Sequence, residues 1–396
     1  MKRTLAALGG QPLEGERALV RVDFNVPIKD GRVADATRIT ATLPTITWLK
    51  ARGCRVILLS HLGRPNGARD PKYSLRPVAA ELERQLGSPV TFIDDPTAPE
   101  AEQQSRRLKR GEVALVENTR FWSGEEVNDP ALAAAFARLG DLYVNDAFGT
   151  AHRAHASTEG VARLVKPAVA GLLMQRELEY LGAALAHPKR PFVAILGGAK
   201  ISGKIDVIEA LLPTVDEILI GGAMACTFFA AMGLEVGKSL VERDKVELAR
   251  QLLARAGKKL VVPPGAVVAA EAKPGVKTTS VARDAIPKDQ AVFDIDQRTQ
   301  DDYGDRIRRA KTVLWNGPMG VAEVPPFDQG TLAIAKAMVE ATALGATTVV
   351  GGGDSAAVVA AAGLQDRMSH VSTGGGALLE FLEGKILPGV AALDDA

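Results

Sequence analysis

Cysteine is nearly missing from this chain of 396 residues: Cys54 and Cys226 are all it has. Two thiols are too few for a disulfide framework or a cysteine-ligated zinc cluster, and both lie in apolar or helical contexts, so they read as small core residues. Net charge is scarce as well. Lys and Arg number 48 against 47 Asp and Glu, a formal charge of +1. No bulk basic field calls for a nucleic acid or an anionic membrane surface, and any positive site has to be local. No uncharged apolar stretch of about 18 residues occurs. The apolar run from Leu5 to Leu8, behind Lys2 and Arg3, is too broken and short for a secretory signal, which makes the cytoplasm the expected compartment. Internal repeats, a heptad seam and low-complexity segments are absent too.

What remains is an apolar content of 46% with 24% charged residues, the balance of an ordinary globular protein of two or three domains. Short apolar runs recur with helical patterns between them: Ala18 to Val22, Val56 to Leu59, Val113 to Val116, Leu142 to Val144, Val193 to Leu196, Ile218 to Ile220, Leu260 to Val262, Thr312 to Leu314 and Thr347 to Val350. Runs of this kind are what parallel strands buried on both faces look like, and their alternation with helices predicts right-handed βαβ units. The fold class is α/β.

Ligands of such sheets bind beyond the carboxyl ends of the strands. In the first half these ends carry Arg21, Asp23 and Asn25; Ser60, His61, Gly63 and Arg64; Glu117, Asn118 and Arg120; then Asn145 and Asp146, followed by His152, Arg153 and His155. One arginine at a strand end is usually a surface ion pair. Four successive ends predict that Arg21, Arg38, Arg64, Arg120 and Arg153, with His61 and His152, pool into a basic pocket for a small, multiply charged anion, because guanidinium forks pair with phosphate and carboxylate.

The second half changes character at Phe192 to Asp206. A buried strand there is expected to turn sharply at Gly197 and Gly198 into a helix, with Lys200 and Lys204 in the turn and first helical turn, an arrangement suited to phosphate. Gly198 to Ile205 fits GxxxxGK but lacks the hydroxyl that holds magnesium in a Walker A loop, and Gly233 to Ser239 is one residue too short, so a Walker design is excluded. Glycines at 221 and 222, 317 and 320, and 351 to 353 suit a nucleotide. Asp354 is a candidate magnesium ligand or a helix N-cap. Gly374 to Gly376, ahead of a further helix, are either a flexible joint or a set of N–H donors for a phosphoryl group. Met174 to Ala186, with Leu178, Leu181 and Leu185 on one face and His187-Pro188 at its end, reads equally as a connector between domains or as another crossover helix.

The motifs VRVDFNVP, SHLGRP, ENTRF, VNDAFGTAHRAH, LGGAK, WNGPMGVAE, GGGDS and STGGGALLE, in this order and spacing, closely resemble phosphoglycerate kinase over nearly the whole chain. The resemblance implies two doubly wound, Rossmann-like domains facing across a cleft and joined by a hinge helix. Residues 1–173 would bind 3-phosphoglycerate, 174–187 would connect, 188–372 would bind ATP or ADP with Mg2+, and 373–396 would be a hinge segment and a tail packing back on the first domain. It places the acid on Asp23, Asn25, Arg38, His61, Arg64, Arg120 and Arg153, with Phe24, Leu62 and Gly63 in the same motifs. The nucleotide falls on Lys204, Gly222, Asn316, Glu323 and Gly352, Gly353, Asp354 and Ser355, with Glu323 at the ribose and Asp354 at the metal. Lys200 matches a lysine on the transferring phosphoryl. The chain departs from the family pattern at Ala36, Ala156, Gly203 and Ala377.

A carboxylate acceptor is already ionised at neutral pH, so phosphoryl transfer to it needs no general base, in keeping with the lack of a Ser-His-Asp set. Positioning and electrostatics then carry catalysis. Arg38 and Lys200 are the expected agents, with Lys204 and the amides of Gly374, Gly375 and Gly376 assisting. Two other readings compete: an acid ligase or dehydrogenase-like enzyme, and a non-catalytic anion or nucleotide sensor. A dehydrogenase would want a GxGxxG after the first strand, and none is present. A sensor would not need Lys200, Lys204 and Asp354 together.

Overall fold

The structure is a computed structural model that describes residues 2–396, with side chains described for all of them except 183–186. The chain forms two compact units, Met1–Leu178 with Ile386–Ala396, and Glu179–Lys385.

The first unit is built on a six-stranded parallel sheet in the order Val90–Ile93, Val113–Val116, Arg55–Leu59, Arg17–Arg21, Leu142–Asn145, Ala168–Ala170. All five residues of Arg17–Arg21 are buried, as expected of a central strand covered on both faces. Each fully buried Val, Leu or Ile contributes about 1.5–3 kcal/mol. The strand order reverses between Arg17–Arg21 and Leu142–Asn145, which marks the point where ligands of such sheets gather. The chain's end closes this unit: Asp394 O accepts the Arg3 N–H at 2.8 Å and Asn145 Nδ2 donates to Gly389 O at 2.9 Å.

The second unit repeats the plan with the order Leu260–Val261, Glu217–Ile220, Phe192–Leu196, Thr312–Asn316, Thr347–Gly351, His370–Val371, again all parallel. It adds a three-stranded antiparallel sheet, Thr279–Ala282, Gly265–Ala269 and Ala291–Ile295, which the apolar runs do not announce.

The helix Leu172–Ala186 carries the chain from one unit to the other. Its first turn is held within the first unit, where Asp146 Oδ1 accepts the N–H groups of Leu173 at 2.9 Å and Met174 at 3.1 Å and Thr45 Oγ1 accepts that of Leu172 at 2.9 Å. Beyond the boundary, Tyr180 stacks on His370 with ring centroids 5.0 Å apart. Leu178 and Leu181 lie on this helix as expected; the Leu185 side chain falls outside the described residues. Residues 373–385, including the helix Gly375–Leu382, pack within the second unit, and only Ile386–Ala396 returns to the first. Cys54 and Cys226 are free and buried. Among the described residues no helix is long and apolar enough to cross a membrane.

Candidate active site

In the first unit the helix Thr37–Ala51 delivers Arg38 in its first turn. Its N-cap is Ala36, which has no side chain to give, and Asp35 takes over: its Oδ1 accepts the Thr37 N–H at 2.8 Å and the Thr37 hydroxyl at 2.6 Å. Arg38 Nη1 then reaches Asp23 Oδ2 at 2.7 Å. Asp23 follows strand Arg17–Arg21, and its Oδ1 lies 4.0 Å from His61 Nδ1. His61 is buried, and burial together with Arg21, Arg120, Arg38 and His155 holds its pKa well below the usual imidazole value. It is neutral at pH 7.

Asn118 locks the loops around this point, accepting the N–H of Leu62 at 3.1 Å and donating to Leu62 O at 2.7 Å and Tyr73 O at 2.9 Å. Gly63 has φ +60, and a Cβ there would fall 2.3 Å from the Tyr73 ring, so only glycine fits. Its N–H donates to Asn25 Oδ1 at 3.0 Å, and its carbonyl accepts from Arg120 Nη1 at 2.8 Å. Arg120 is buried beside Glu126, 3.2 Å away, and burial lowers its pKa. Arg153 is half-buried, its Nε 3.2 Å from His152 Nε2. Arg64 is exposed, and Phe24 and Leu62 are buried core residues.

One expected member does not line a pocket. Arg21 is 0% exposed. Its Nε donates to Ser157 Oγ at 2.8 Å, Nη1 to Val22 O, and Nη2 lies 3.2 Å from His61 Nδ1. Arg21 therefore acts on the site from behind.

In the second unit the chain does not turn sharply at Gly197. Strand Phe192–Leu196 is followed by a loop, 197–204, and the helix starts only at Ile205, so Lys204 is its N-cap residue and Lys200 stands exposed in the loop. Gly198 N–H donates to Pro318 O at 2.9 Å and Gly222 N–H to Met319 O at 2.8 Å, lashing three glycine loops together. A Cβ on Gly222 would lie 2.4 Å from Gly198 O, and one on Gly317 2.4 Å from Gly197 O, both at positive φ. Here the glycines let backbone approach backbone, a packing demand of the protein itself. At Gly353 the space is open.

Lys204 Nζ donates to Asn316 Oδ1. Burial pulls the Lys204 pKa down to about 8, against the opposing pull of Asp354. Asn316 is 2% exposed, and its Nδ2 has no hydrogen-bond partner among the described residues. That orphaned donor lies 3.2 Å from where a Cβ on Gly352 would be, beside the first turn of helix Gly353–Ala361. Ser355 is buried and its Oγ accepts the Gly317 N–H at 2.9 Å. Asp354 is not an N-cap: Gly352 holds that position, and Asp354 is exposed in the first turn. Among the described residues no group of three or more His, Cys, Asp or Glu could hold a metal, so the unit offers a lone carboxylate that suits a magnesium carried mainly by phosphates and water. Glu323 is exposed. Gly374 is the N-cap of helix Gly375–Leu382, with its own N–H given to Ser372 Oγ at 3.2 Å; Gly375 and Gly376 begin the helix. Ala377 is fully buried in that first turn.

Glu125 and Asp294 are among the buried carboxylates that the sequence does not announce. Glu125 is 0% exposed and accepts from the Ser157 hydroxyl and, at 3.1 Å, the Thr119 hydroxyl. Asp294 accepts the Gly330 N–H at 2.7 Å, and burial pushes its pKa up to about 7. Glu125 lies in SGEEVN, which reads as a solvated turn; only its distant partners mark it as interior.

The family model for phosphoglycerate kinase matches residues 10–385. The chain is similar to the phosphoglycerate kinase of Chloroflexus aurantiacus, 58% identical over 388 residues that cover 96% of this chain and 97% of the relative. It is also similar to that of Chlorobium luteolum, 53% identical with 99% of each covered, and to the chloroplastic one of Volvox carteri, 52% identical with 100% of this chain and 87% of the relative covered. A solved phosphoglycerate kinase structure from Coxiella burnetii superimposes with a TM-score of 0.87 at 42% identity, covering 98% of each chain.

Proposed function

The chain belongs to the phosphoglycerate kinase family, and from that premise we propose that it moves a phosphoryl group reversibly between 1,3-bisphosphoglycerate and ADP, giving 3-phosphoglycerate and ATP by in-line transfer without a general base. The observation that carries this reading is the contrast between the two units. The strand ends of the first bear arginines around Asp23 and His61, and those of the second bear glycine loops around Lys204 and Asn316.

In this account the first unit binds the acid through Asp23, Asn25, Arg38, His61, Arg64, Arg120 and Arg153, and Phe24, Leu62 and Gly63 fix the loops that carry them. Guanidinium groups suit its carboxylate and phosphate. The second unit takes the nucleotide through Lys204, Gly222, Asn316, Glu323 and the Gly352 to Ser355 turn. Asn316 Nδ2 and Lys204 supply donors to phosphate oxygens. Asp354 would hold the magnesium that a nucleotide carries, and the ion would offset phosphate charge. The acceptor carboxylate attacks the γ-phosphorus as the bond to the β–γ bridging oxygen breaks; Arg38, Lys200 and the amides of Gly375 and Gly376 stabilise the charge spread over the moving group, the Gly374 N–H being held by Ser372 Oγ. His61, buried among guanidinium groups that oppose its protonation, is unsuited to serve as a base, and none is required.

The reading also includes ligand-driven closure, with helix Leu172–Ala186 and the segment around Ser372 and Thr373 as hinges, and a cytoplasmic monomer. Hydroxylamine trapping of acyl phosphate, in mixtures of the protein, 3-phosphoglycerate and Mg-ATP, tests the central reaction. Hydroxamate that depends on all three components is the expected result; a protein that binds ADP and forms none is the sensor.

A further inference from the structure

Behind the first unit's strand ends runs a line of buried polar groups, Glu125, Ser157 and Arg21, that the reaction itself does not call on and that ends on His61 of the acid site. Each bond in it has a fixed polarity. A guanidinium has five N–H donors and no acceptor, so Arg21 Nε must donate to Ser157 Oγ at 2.8 Å. Ser157 has one proton to give, and with its oxygen already accepting from Arg21, that proton goes to Glu125 Oε1. The Ser157 N–H reaches the other carboxylate oxygen at 3.0 Å. Glu125 and Arg21 are both 0% exposed, so the carboxylate offsets a guanidinium that would otherwise be a buried charge without a counterion.

The same logic decides His61. Arg21 Nη2 is 3.2 Å from His61 Nδ1. A proton on Nδ1 would face a guanidinium N–H, and the Asp23 carboxylate, 4.0 Å away, is beyond hydrogen-bond reach. Nδ1 must therefore accept, and the one proton of the neutral ring belongs on Nε2. The charged or titratable neighbours, Arg21, Arg38, Arg120 and His155 with Asp23, are mostly cationic and oppose a second proton.

We propose that Arg21, anchored by Ser157 and Glu125, is a positioning residue that locks His61 as its Nε2–H tautomer, so that His61 meets the phosphoglycerate as a neutral hydrogen-bond donor. This rests on the reading of His61 as a residue of the acid site. A donor of fixed direction accepts no proton from substrate, whereas an Nδ1–H tautomer would turn a lone pair toward the anion and repel it.

The test is a long-range proton–nitrogen spectrum of the full chain with 15N-labelled histidine at pH 7, the His61 signals assigned by their loss in His61→Gln. The wild type is expected to show one N–H nitrogen at Nε2 and one acceptor nitrogen at Nδ1. An Nδ1–H pattern, or a doubly protonated ring, would overturn the proposal. In Ser157→Ala the His61 signals are expected to shift toward a mixture of tautomers, while KM for 3-phosphoglycerate rises about tenfold, the loss of one buried hydrogen bond, and KM for ATP stays unchanged. An unchanged His61 spectrum and KM in a folded Ser157→Ala protein would refute the anchoring. The wild-type spectrum needs no turnover, so an inactive wild type with the Nε2–H pattern would defeat the proposed reaction and leave the tautomer assignment standing.

Discussion

Arg38 Nη1 meets Asp23 Oδ2 at 2.7 Å, and this bond fixes where the guanidinium stands before any ligand arrives. Preset charges of this kind cost no reorganisation at the moment of reaction. Arg38→Ala should lower kcat by about 100-fold or more, with ADP affinity unaltered. Steady-state rates and calorimetric ADP titration together check this; a loss confined to ADP binding would contradict it.

Lys204 carries a sharper signature. Its pKa of about 8 comes from burial, so the unliganded side chain is charged below that pH and loses its charge above it. ADP affinity should be flat from pH 6.5 to 7.5. Above pH 8 it should fall by up to about tenfold per pH unit, since uptake of one proton accompanies binding there. In Lys204→Met the affinity should be low throughout and the slope above pH 8 gone. Titration calorimetry across this range reads both.

Asp146 caps the helix Leu172–Ala186 from a fully buried position. Losing such a cap should destabilise the first unit by about 0.5–2 kcal/mol in Asp146→Ala. Burial raises its pKa from 3.8 to about 6, so the native state binds a proton that the unfolded chain releases. The resulting stabilisation is fully present below pH 3.8 and is lost as the pH rises through about 6. Asp146→Asn should flatten that part of the stability profile in urea unfolding between pH 4 and 7. A variant with the wild-type slope would show that the proton binds elsewhere.

Gly222 has φ +68, and a Cβ would strike Gly198 O at 2.4 Å. Gly222→Ala should cost about 1–3 kcal/mol from backbone strain alone and weaken ADP binding by disturbing the loop that bears Lys204. Binding of 3-phosphoglycerate should stay as it was. Parallel titrations with the two ligands distinguish this local effect from general unfolding.

The parallel sheets were legible because strands such as Phe192–Leu196, buried on both faces, must be apolar at every position. Val90–Ile93 escaped notice: it is an edge strand whose Val90, Thr91 and Phe92 keep contact with solvent, so no continuous run appears. Thr279–Ala282 is largely exposed and gives almost no signal. Within the site, the family resemblance pointed to Arg38, Asp23, Lys204 and Asn316, and the structure brings each pair together. The motif around Arg21 suggests a pocket residue and does not reveal that strand Arg17–Arg21 turns it inward toward Ser157, 136 residues away. Glu125 was invisible for the same reason: a carboxylate in a turn becomes interior only through partners supplied by distant loops.

The most direct measurement of the central claim is a single-turnover experiment with Mg-ATP labelled in the γ-phosphoryl and excess 3-phosphoglycerate, comparing the wild type with Lys200→Ala and Arg38→Ala. Labelled 1,3-bisphosphoglycerate should appear rapidly in the wild type. The rate should be lower by about 100-fold or more in each variant, although both still bind ATP. Label transfer at the wild-type rate in either variant would contradict the assignment of that charge to the moving phosphoryl group, and no transfer in the wild type would contradict the reaction itself.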